Sequence, residues 1–200
     1  MIEYIKGEIA ELTPAFVVVD ACGVGYGLGI SVNTYSALQG KTEGKVYVYE
    51  SIREDSHDLF GFATKSEREL FLLLITVNGI GSNTARMILS EMTVDELCAV
   101  IAQGDERLLK RIKGIGPRTA ARIIVELQDK VAELSYGTAA NVTGTVAPVA
   151  NQKVVSEAVS ALTMLGFASA PTHKVVNEIV KEQPDITVEQ LIKRALTMIK

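Results

Sequence analysis

The chain has two cysteines, two histidines and no tryptophan. Cys22 and Cys98 lie far apart in sequence, with no second Cys or His at metal-ligand spacing, which argues against a disulfide scaffold or a zinc module. Both thiols are expected to be reduced, buried and structural in a cytoplasmic chain. His57 and His173 also lack ligand-spaced neighbours and are expected at the surface or at caps, so no metal and no cofactor are expected. No run approaches the roughly 20 apolar residues of a membrane span. The opening Met1-Ile2-Glu3-Tyr4-Ile5-Lys6 has no basic segment leading into a long apolar core, so a secretory leader is not expected. No Ser/His/Asp or Cys/His arrangement for nucleophilic catalysis is legible.

Two glycine-rich stretches resemble nucleotide loops and fail in detail. Gly23-Val24-Gly25-Tyr26-Gly27-Leu28-Gly29 is followed by Ile30-Ser31-Val32, with no helical pattern to receive a pyrophosphate. Alternating glycines in a strand more often mark barrel bends. Gly40-Lys41-Thr42 has the end of a P-loop, but Tyr35 occupies the position of its first glycine. ATP hydrolysis by this chain alone is not expected.

The net charge of −4 hides an uneven distribution. Residues 1–62 carry four basic and nine acidic side chains, residues 63–135 ten of each, and residues 136–200 six and five. Arg107, Lys110, Arg111, Lys113, Arg118 and Arg122 fall in sixteen residues without an acid. A nucleic-acid footprint is a local field, so such a stripe matters more than the total; a solvated helix face has the same composition.

Hydrophobic periodicity divides the chain. Residues 2–12, 15–21, 25–32 and 45–52 read as strands rich in Val, Ile and Tyr, with a short fifth near 59–62. Five short strands in residues 1–62 suit a small closed barrel of the OB type. Residues 63–134 read as several short helices punctuated by Gly79, Gly81, Gly104, Gly114 and Gly116. Ser66 with Glu69 has the spacing of a capping box ahead of Leu70, Leu73, Leu74 and Val77. Residues 135–151 are small, polar and uncharged, and read as a flexible linker. Residues 152–200 hold three helical patterns: 154–165 ending at Gly166, 171–181 stopped by Pro184, and 187–199 opened by Thr187. The fold class is therefore mixed and multi-domain: barrel, central all-α domain and C-terminal three-helix bundle.

One internal repeat carries the functional reading. Asn78-Gly79-Ile80-Gly81-Ser82-Asn83-Thr84-Ala85 aligns with Lys113-Gly114-Ile115-Gly116-Pro117-Arg118-Thr119-Ala120 at a constant offset of 35. In each copy a helix ends, Gly-Ile-Gly turns, and a new helix starts at Ser82 or Pro117. The glycines allow backbone angles closed to other residues and let another backbone approach. Ile80 and Ile115 are expected to point inward. The N–H groups at the new helix start, at the positive end of its dipole, suit a phosphate oxygen. Pro117 fits a first helical turn, where no N–H is needed. Arg118 and Arg122, one turn apart, can add charge beside that phosphate. A single turn of this kind is commonly only a helix cap; two in register with a basic flank point to DNA.

This is the helix-hairpin-helix motif, and the chain as a whole resembles the RuvA family. The resemblance runs nearly end to end, through Gly23-Val24-Gly25-Tyr26, Arg53-Glu54-Asp55, Leu59-Phe60-Gly61-Phe62 and Asn78-Gly79-Ile80-Gly81. It implies an OB-fold domain, a tandem hairpin domain, a mobile C-terminal domain and a homotetramer. It implies binding of four-way (Holliday) junctions in DNA recombination and repair, and recruitment of the hexameric RuvB ATPase for branch migration. The RuvC resolvase is a further implied partner, and the number of tetramers per junction stays open. By the same resemblance DNA contacts would come from Gly79, Ile80, Gly81, Asn83, Thr84, Gly114, Ile115, Gly116, Arg118, Thr119 and Arg122. Glu54 and Asp55 look like the family's acidic pin, which repels phosphates at the junction centre. Leu162, Leu165, Gly166 and Phe167 would shape or form the motor-binding surface. Asn83 and Pro117 stand where many members carry Lys, so fewer side-chain phosphate contacts are expected.

Two other classes compete on the residues alone. A hairpin-containing DNA glycosylase or nuclease subunit needs a catalytic Lys or Asp shortly after the hairpin, where Asp129 and Lys130 stand by position. A single-strand binder built on the barrel is disfavoured by the acidic balance of residues 1–62.

Overall fold

The computed structural model describes residues 1–138, 149–183 and 186–199, in two compact units, 1–141 and 142–200. The first unit opens with strands β1 (Tyr4–Thr13), β2 (Phe16–Ala21), β3 (Val24–Ile30), β4 (Glu43–Ile52) and β5 (His57–Phe62). They close a barrel in the order β1-β2-β3-β5-β4, with β3 and β5 parallel. This is the expected OB-type barrel. Alternation along the strands turns Val17, Val19, Leu28, Ile30, Val46 and Val48 into its core. The N-terminal half of β1 pairs with β4 and the C-terminal half with β2, and a bulge between Ile9 and Glu11 bends the strand from one to the other. Gly61 is required by close approach, since a Cβ there would lie 2.8 Å from the Val46 side chain.

Two expectations fail in the barrel. The strand expected over 25–32 ends at Ile30, and helix α1 (Val32–Leu38) follows where no helix was expected. Ser31 caps it, accepting from the Thr34 amide at 3.0 Å. A helix of two turns gives too few apolar repeats to show a period. Cys22 is exposed, not buried. Ala21 pairs with Val24, so Cys22 and Gly23 form a two-residue hairpin loop with φ of 57° and 86°. Such a loop puts its side chains at the tip of the hairpin. Cys98 is buried, as expected.

Helices α2 (Lys65–Thr76), α3 (Ser82–Glu91), α4 (Val94–Gln103), α5 (Glu106–Leu109) and α6 (Pro117–Thr138) complete the first unit. Thr64, not Ser66, caps α2: its hydroxyl accepts from the Glu67 amide, and Ser66 falls inside the first turn. The reciprocal capping box lies instead at Thr93 and Glu96, ahead of α4. The Thr93 amide and hydroxyl both donate to the Glu96 carboxylate, and these bonds hold its pKa below the usual carboxylate range.

The barrel and the helices share a core. The Phe71 ring on α2 lies 5.3, 5.5 and 4.8 Å from the rings of Tyr49, Phe60 and Phe62. Polar contacts reinforce this seam. The Glu67 carboxylate accepts from the Ser31 and Thr34 hydroxyls and from the Ala63 amide. Arg68 pairs with Glu3 at 2.7 Å. Asn33 donates to the carbonyls of Leu89 and Met92, and Arg86 to the carbonyl of Ala15. Helix α3 is thus fixed to the barrel and α1 through its middle and C-terminal end.

The second unit holds α7 (Val149–Met164), α8 (Ser169–Glu182) and α9 (Val188–Met198). Its core is Ala158, Leu162, Val176, Ile179, Leu191 and Ala195. Of the stretch expected as a linker, α6 runs on through Thr138 and α7 begins at Val149, while residues 139–148 lie outside the described residues. Pro184, the expected stop after the second helix, also lies outside them. No helix among the described residues is long and apolar enough to cross a membrane.

Candidate nucleic-acid interface

Both Gly-Ile-Gly segments form the expected turns between helices. At the first, α2 ends at Val77 and the Ile80 amide donates back to the Val77 carbonyl at 3.0 Å. At the second, the Ile115 amide donates to Ile112 at 3.1 Å. Gly79 and Gly114 sit at φ of 95° and 89°, which only glycine adopts without strain. Ile80 and Ile115 are buried in the helical core, as expected. The carbonyls of Gly81 and Gly116 accept the first helical bonds, from Ala85 and Ala120, at 2.9 Å each.

The second glycine of each turn has a different reason to be glycine. Gly81 and Gly116 have ordinary φ, and a Cβ on either would meet nothing within 4 Å. The protein's own packing therefore does not demand glycine there. Open space in front of a backbone N–H suits close approach by an outside group. No side chain caps α3. Among the described residues, the N–H groups of Gly79, Gly81, Ser82, Asn83 and Thr84 have no hydrogen-bond partner, and neither do those of Gly114, Gly116, Arg118 and Thr119. Each turn thus presents a fan of unpaired amides at the positive end of a helix. Such a fan binds an anionic oxygen.

The two turns are unequal in charge. Beside the second, Arg111, Lys113 and Arg118 are exposed and have no partner among the described residues. Arg107 and Lys110, counted in the same stripe, are paired with Asp105 at 3.7 Å and Glu106 at 3.0 Å, acids just before it. The free charge is narrower than the sequence suggests. The first turn carries the neutral Asn83 and Thr84. Its nearest cation comes from the other motif: Arg122 donates to both the backbone carbonyl and the side-chain oxygen of Asn78, at 3.3 Å each. Sequence reading missed Asn78 and Met87 as members of this site. Their signal was available in the repeat, where Met87 aligns with Arg122.

Glu54 and Asp55 sit at the tip between β4 and β5. Ile52 and His57 form the last strand pair, and the Arg53 amide donates to the Ser56 carbonyl at 2.8 Å. Both carboxylates are exposed and without a partner among the described residues. His57, expected at the surface, lies 3.5 Å from Glu50 and is half exposed; His173 is exposed. Asp129 and Lys130 are exposed on α6.

In the second unit, Leu162 is fully buried and Phe167 packs on the same core. Gly166, at φ 98°, ends α7, with the Phe167 amide donating to Leu162 at 3.2 Å. Leu165 and its neighbour Met164 are 62% and 87% exposed. Of the four residues expected in a partner surface, Leu165 faces solvent, and the others hold the turn that presents it.

Two hairpin motifs seated on a five-stranded barrel, with a separate three-helix unit, define a tandem helix-hairpin-helix protein. Comparison with known proteins gives the family. Residues 1–61 match the RuvA N terminal domain, residues 71–129 the SAM-like Helix-hairpin-helix tandem, and residues 153–198 the RuvA C-terminal domain. The chain is 57% identical over 201 residues to a Bacteroides fragilis protein named Holliday junction branch migration complex subunit RuvA, covering 98% of each. Proteins of the same name from Parabacteroides distasonis and Porphyromonas gingivalis are 54% and 46% identical, with 100% of each chain covered. The chain belongs to the RuvA family.

Proposed function

We propose that this chain is the junction-binding subunit of a branch-migration complex. It holds the arms of a four-way DNA junction by their phosphates and recruits a RuvB-type hexameric ATPase, without catalysis of its own. The observation that carries this reading is the pair of in-register turns whose unpaired amides and open glycines face outward. The acidic tip at Glu54 and Asp55 supports a role at the junction centre, where it would repel strands from an otherwise attractive surface. A homotetramer would bring four such tips together, and a RuvC-type resolvase would share the same junction in the cytoplasm. The sites are the eleven hairpin residues from Gly79 to Arg122 named above, of which the buried Ile80 and Ile115 and the Asn78-bonded Arg122 support the turns, the two acids, and Leu165 with its supports Leu162, Gly166 and Phe167. Domain borders at 62, 134 and 151 belong to the same reading.

Gel-shift titration tests it, with a four-way junction, linear duplex and single strand at matched salt. The junction is expected to bind tightest, with little dependence on base sequence. Its affinity should fall steeply with salt, with a logarithmic slope of about −0.9 per phosphate neutralised. Equal affinity for duplex and junction overturns the reading. Base release or strand cleavage on damaged duplex would assign the chain to the enzymes instead. A chain ending at Asn141 should bind junctions and fail to support motor-driven branch migration.

A further inference from the structure

The two hairpins are braced against each other by the same position of the repeat. Arg122 and Met87 are equivalent at the offset of 35, and so are Gly114 and Gly79. Each side chain crosses to the opposite turn. Arg122, on α6 of the second motif, donates two hydrogen bonds to Asn78, the residue before Gly79. Met87, on α3 of the first motif, places its terminal methyl 3.5 Å from where Gly114 would carry a Cβ. The crossing is reciprocal, and one arm is cationic where the other is apolar.

We propose that Arg122 and Met87 are positioning residues that set the shape and spacing of the two phosphate-gripping turns, so that both engage one DNA arm together. For Arg122 this differs from a direct phosphate contact. One terminal nitrogen, Nη1, donates to both oxygens of Asn78, and the bonds span 44 residues of sequence. The lysine ammonium lies one bond nearer its own backbone than Nη1, so a lysine stem falls short of contacts that arginine makes at 3.3 Å. For Met87, an unbranched and flexible side chain fits the irregular gap over a glycine turn. The brace also accounts for an arginine beside the turn that lacks its own cations. It fixes the carbonyl and side chain of Asn78, and so the peptide leading into Gly79. The inference takes its functional consequence from the phosphate-gripping reading, but its first test needs no DNA.

The test is amide hydrogen exchange on the full-length free protein, followed at Ile80 and Ile115, whose amides close the two turns. Arg122→Ala is expected to speed exchange at Ile80 by about fivefold, the scale of one modest hydrogen bond, and to leave Ile115 unchanged. Met87→Ala should do the reverse. Arg122→Lys should resemble Arg122→Ala at Ile80. Asn78→Ala, which removes one acceptor without touching α6, should give a smaller change in the same direction and reads the brace should Arg122→Ala not fold. Unchanged exchange at both turns overturns the proposal, as does equal acceleration of both by each variant. A second arm uses junction DNA. Arg122→Ala should weaken binding with an unchanged salt slope; a slope shallower by about one, fully restored by Arg122→Lys, would make Arg122 a phosphate contact and overturn the brace. Failure of the junction preference itself leaves the exchange result standing, so the two readings fail separately.

Discussion

The Glu67 carboxylate accepts a hydrogen bond from the Ser31 hydroxyl at 2.6 Å, and through it the first hairpin helix is tied to the barrel. Glu67 opens α2, the helix that leads into the Gly79 turn. Ser31 follows β3, which pairs with β5, one leg of the acidic tip. A chain of short contacts therefore joins the Gly79 turn to the acidic tip. Phe71 packs against Phe60 and Phe62 along the same seam. The proposed junction-binding role requires both elements to be held at a fixed relation, which this seam would supply.

Glu67→Ala should therefore destabilise the first unit by about 2–4 kcal/mol, because it leaves the buried Ser31 and Thr34 hydroxyls without their acceptor. Glu67→Gln should cost less, since one acceptor oxygen remains. Urea denaturation of both variants measures this. A loss below about 0.5 kcal/mol for Glu67→Ala would mean that the seam is held by apolar packing alone.

Gly79→Ala and Gly114→Ala should each cost about 1–2 kcal/mol of stability, the penalty of a left-handed backbone with a Cβ. The space around Gly79 is open, so the loss there comes from φ and not from a clash. Thermal or urea midpoints without DNA report it. Wild-type stability in both variants would show that the turns relax to other conformations.

Glu54→Gln combined with Asp55→Asn should raise affinity for linear duplex and narrow the preference for junctions. Neither carboxylate has a structural partner among the described residues, so the fold should be unaffected. The effect should be largest at low salt, where screening is weakest. Unchanged duplex affinity at low salt would remove the repulsive role from this tip.

Thr93→Ala should lower stability by about 1 kcal/mol through loss of the cap on α4. It should also return the Glu96 carboxyl toward its ordinary pKa. In the native protein that pKa is depressed by the Thr93 amide and hydroxyl. The contribution of the ionised group is thus present above the unfolded pKa and lost as pH falls through the folded one. A carboxyl NMR titration of Glu96 checks the direction; a titration identical in Thr93→Ala and wild type would contradict it.

Much of this was legible before any coordinates. The repeat fixed the positions of both turns, because Gly-Ile-Gly encodes a backbone conformation and a buried anchor in three residues. Four of the five strands could be placed by β-branched content, and β5 by Phe60 and Phe62. The misses have both local and long-range causes. Helix α1 was hidden because Ser31 and Thr34 serve Glu67, far away in sequence. The cap at Thr64 is obscured because Ser66 offers the same local pattern two residues later. Cys22 was misplaced because burial was inferred from residue type, while its strand register sets it at a hairpin tip. The apparent basic stripe lost Arg107 and Lys110 to acids just outside the window counted. In the second unit, helical periodicity was plain, but Leu162 and Leu165 could not be told apart as core and surface without the packing of α8 and α9.

The central claim is that unpaired amides at the starts of α3 and α6 grip phosphate, and Gly81→Ser with Gly116→Ser tests it most directly. Serine is among the preferred residues at a helix N-cap, and both positions have open space and ordinary φ. Its hydroxyl would take up the same N–H groups, and its Cβ would stand where a phosphate must approach. Urea midpoint and junction affinity are measured on the double variant at one salt concentration. The account predicts a midpoint equal to or above wild type, with junction affinity lower by about tenfold or more, as expected when charge-assisted bonds are lost. Wild-type junction affinity in a variant of undiminished stability would contradict it.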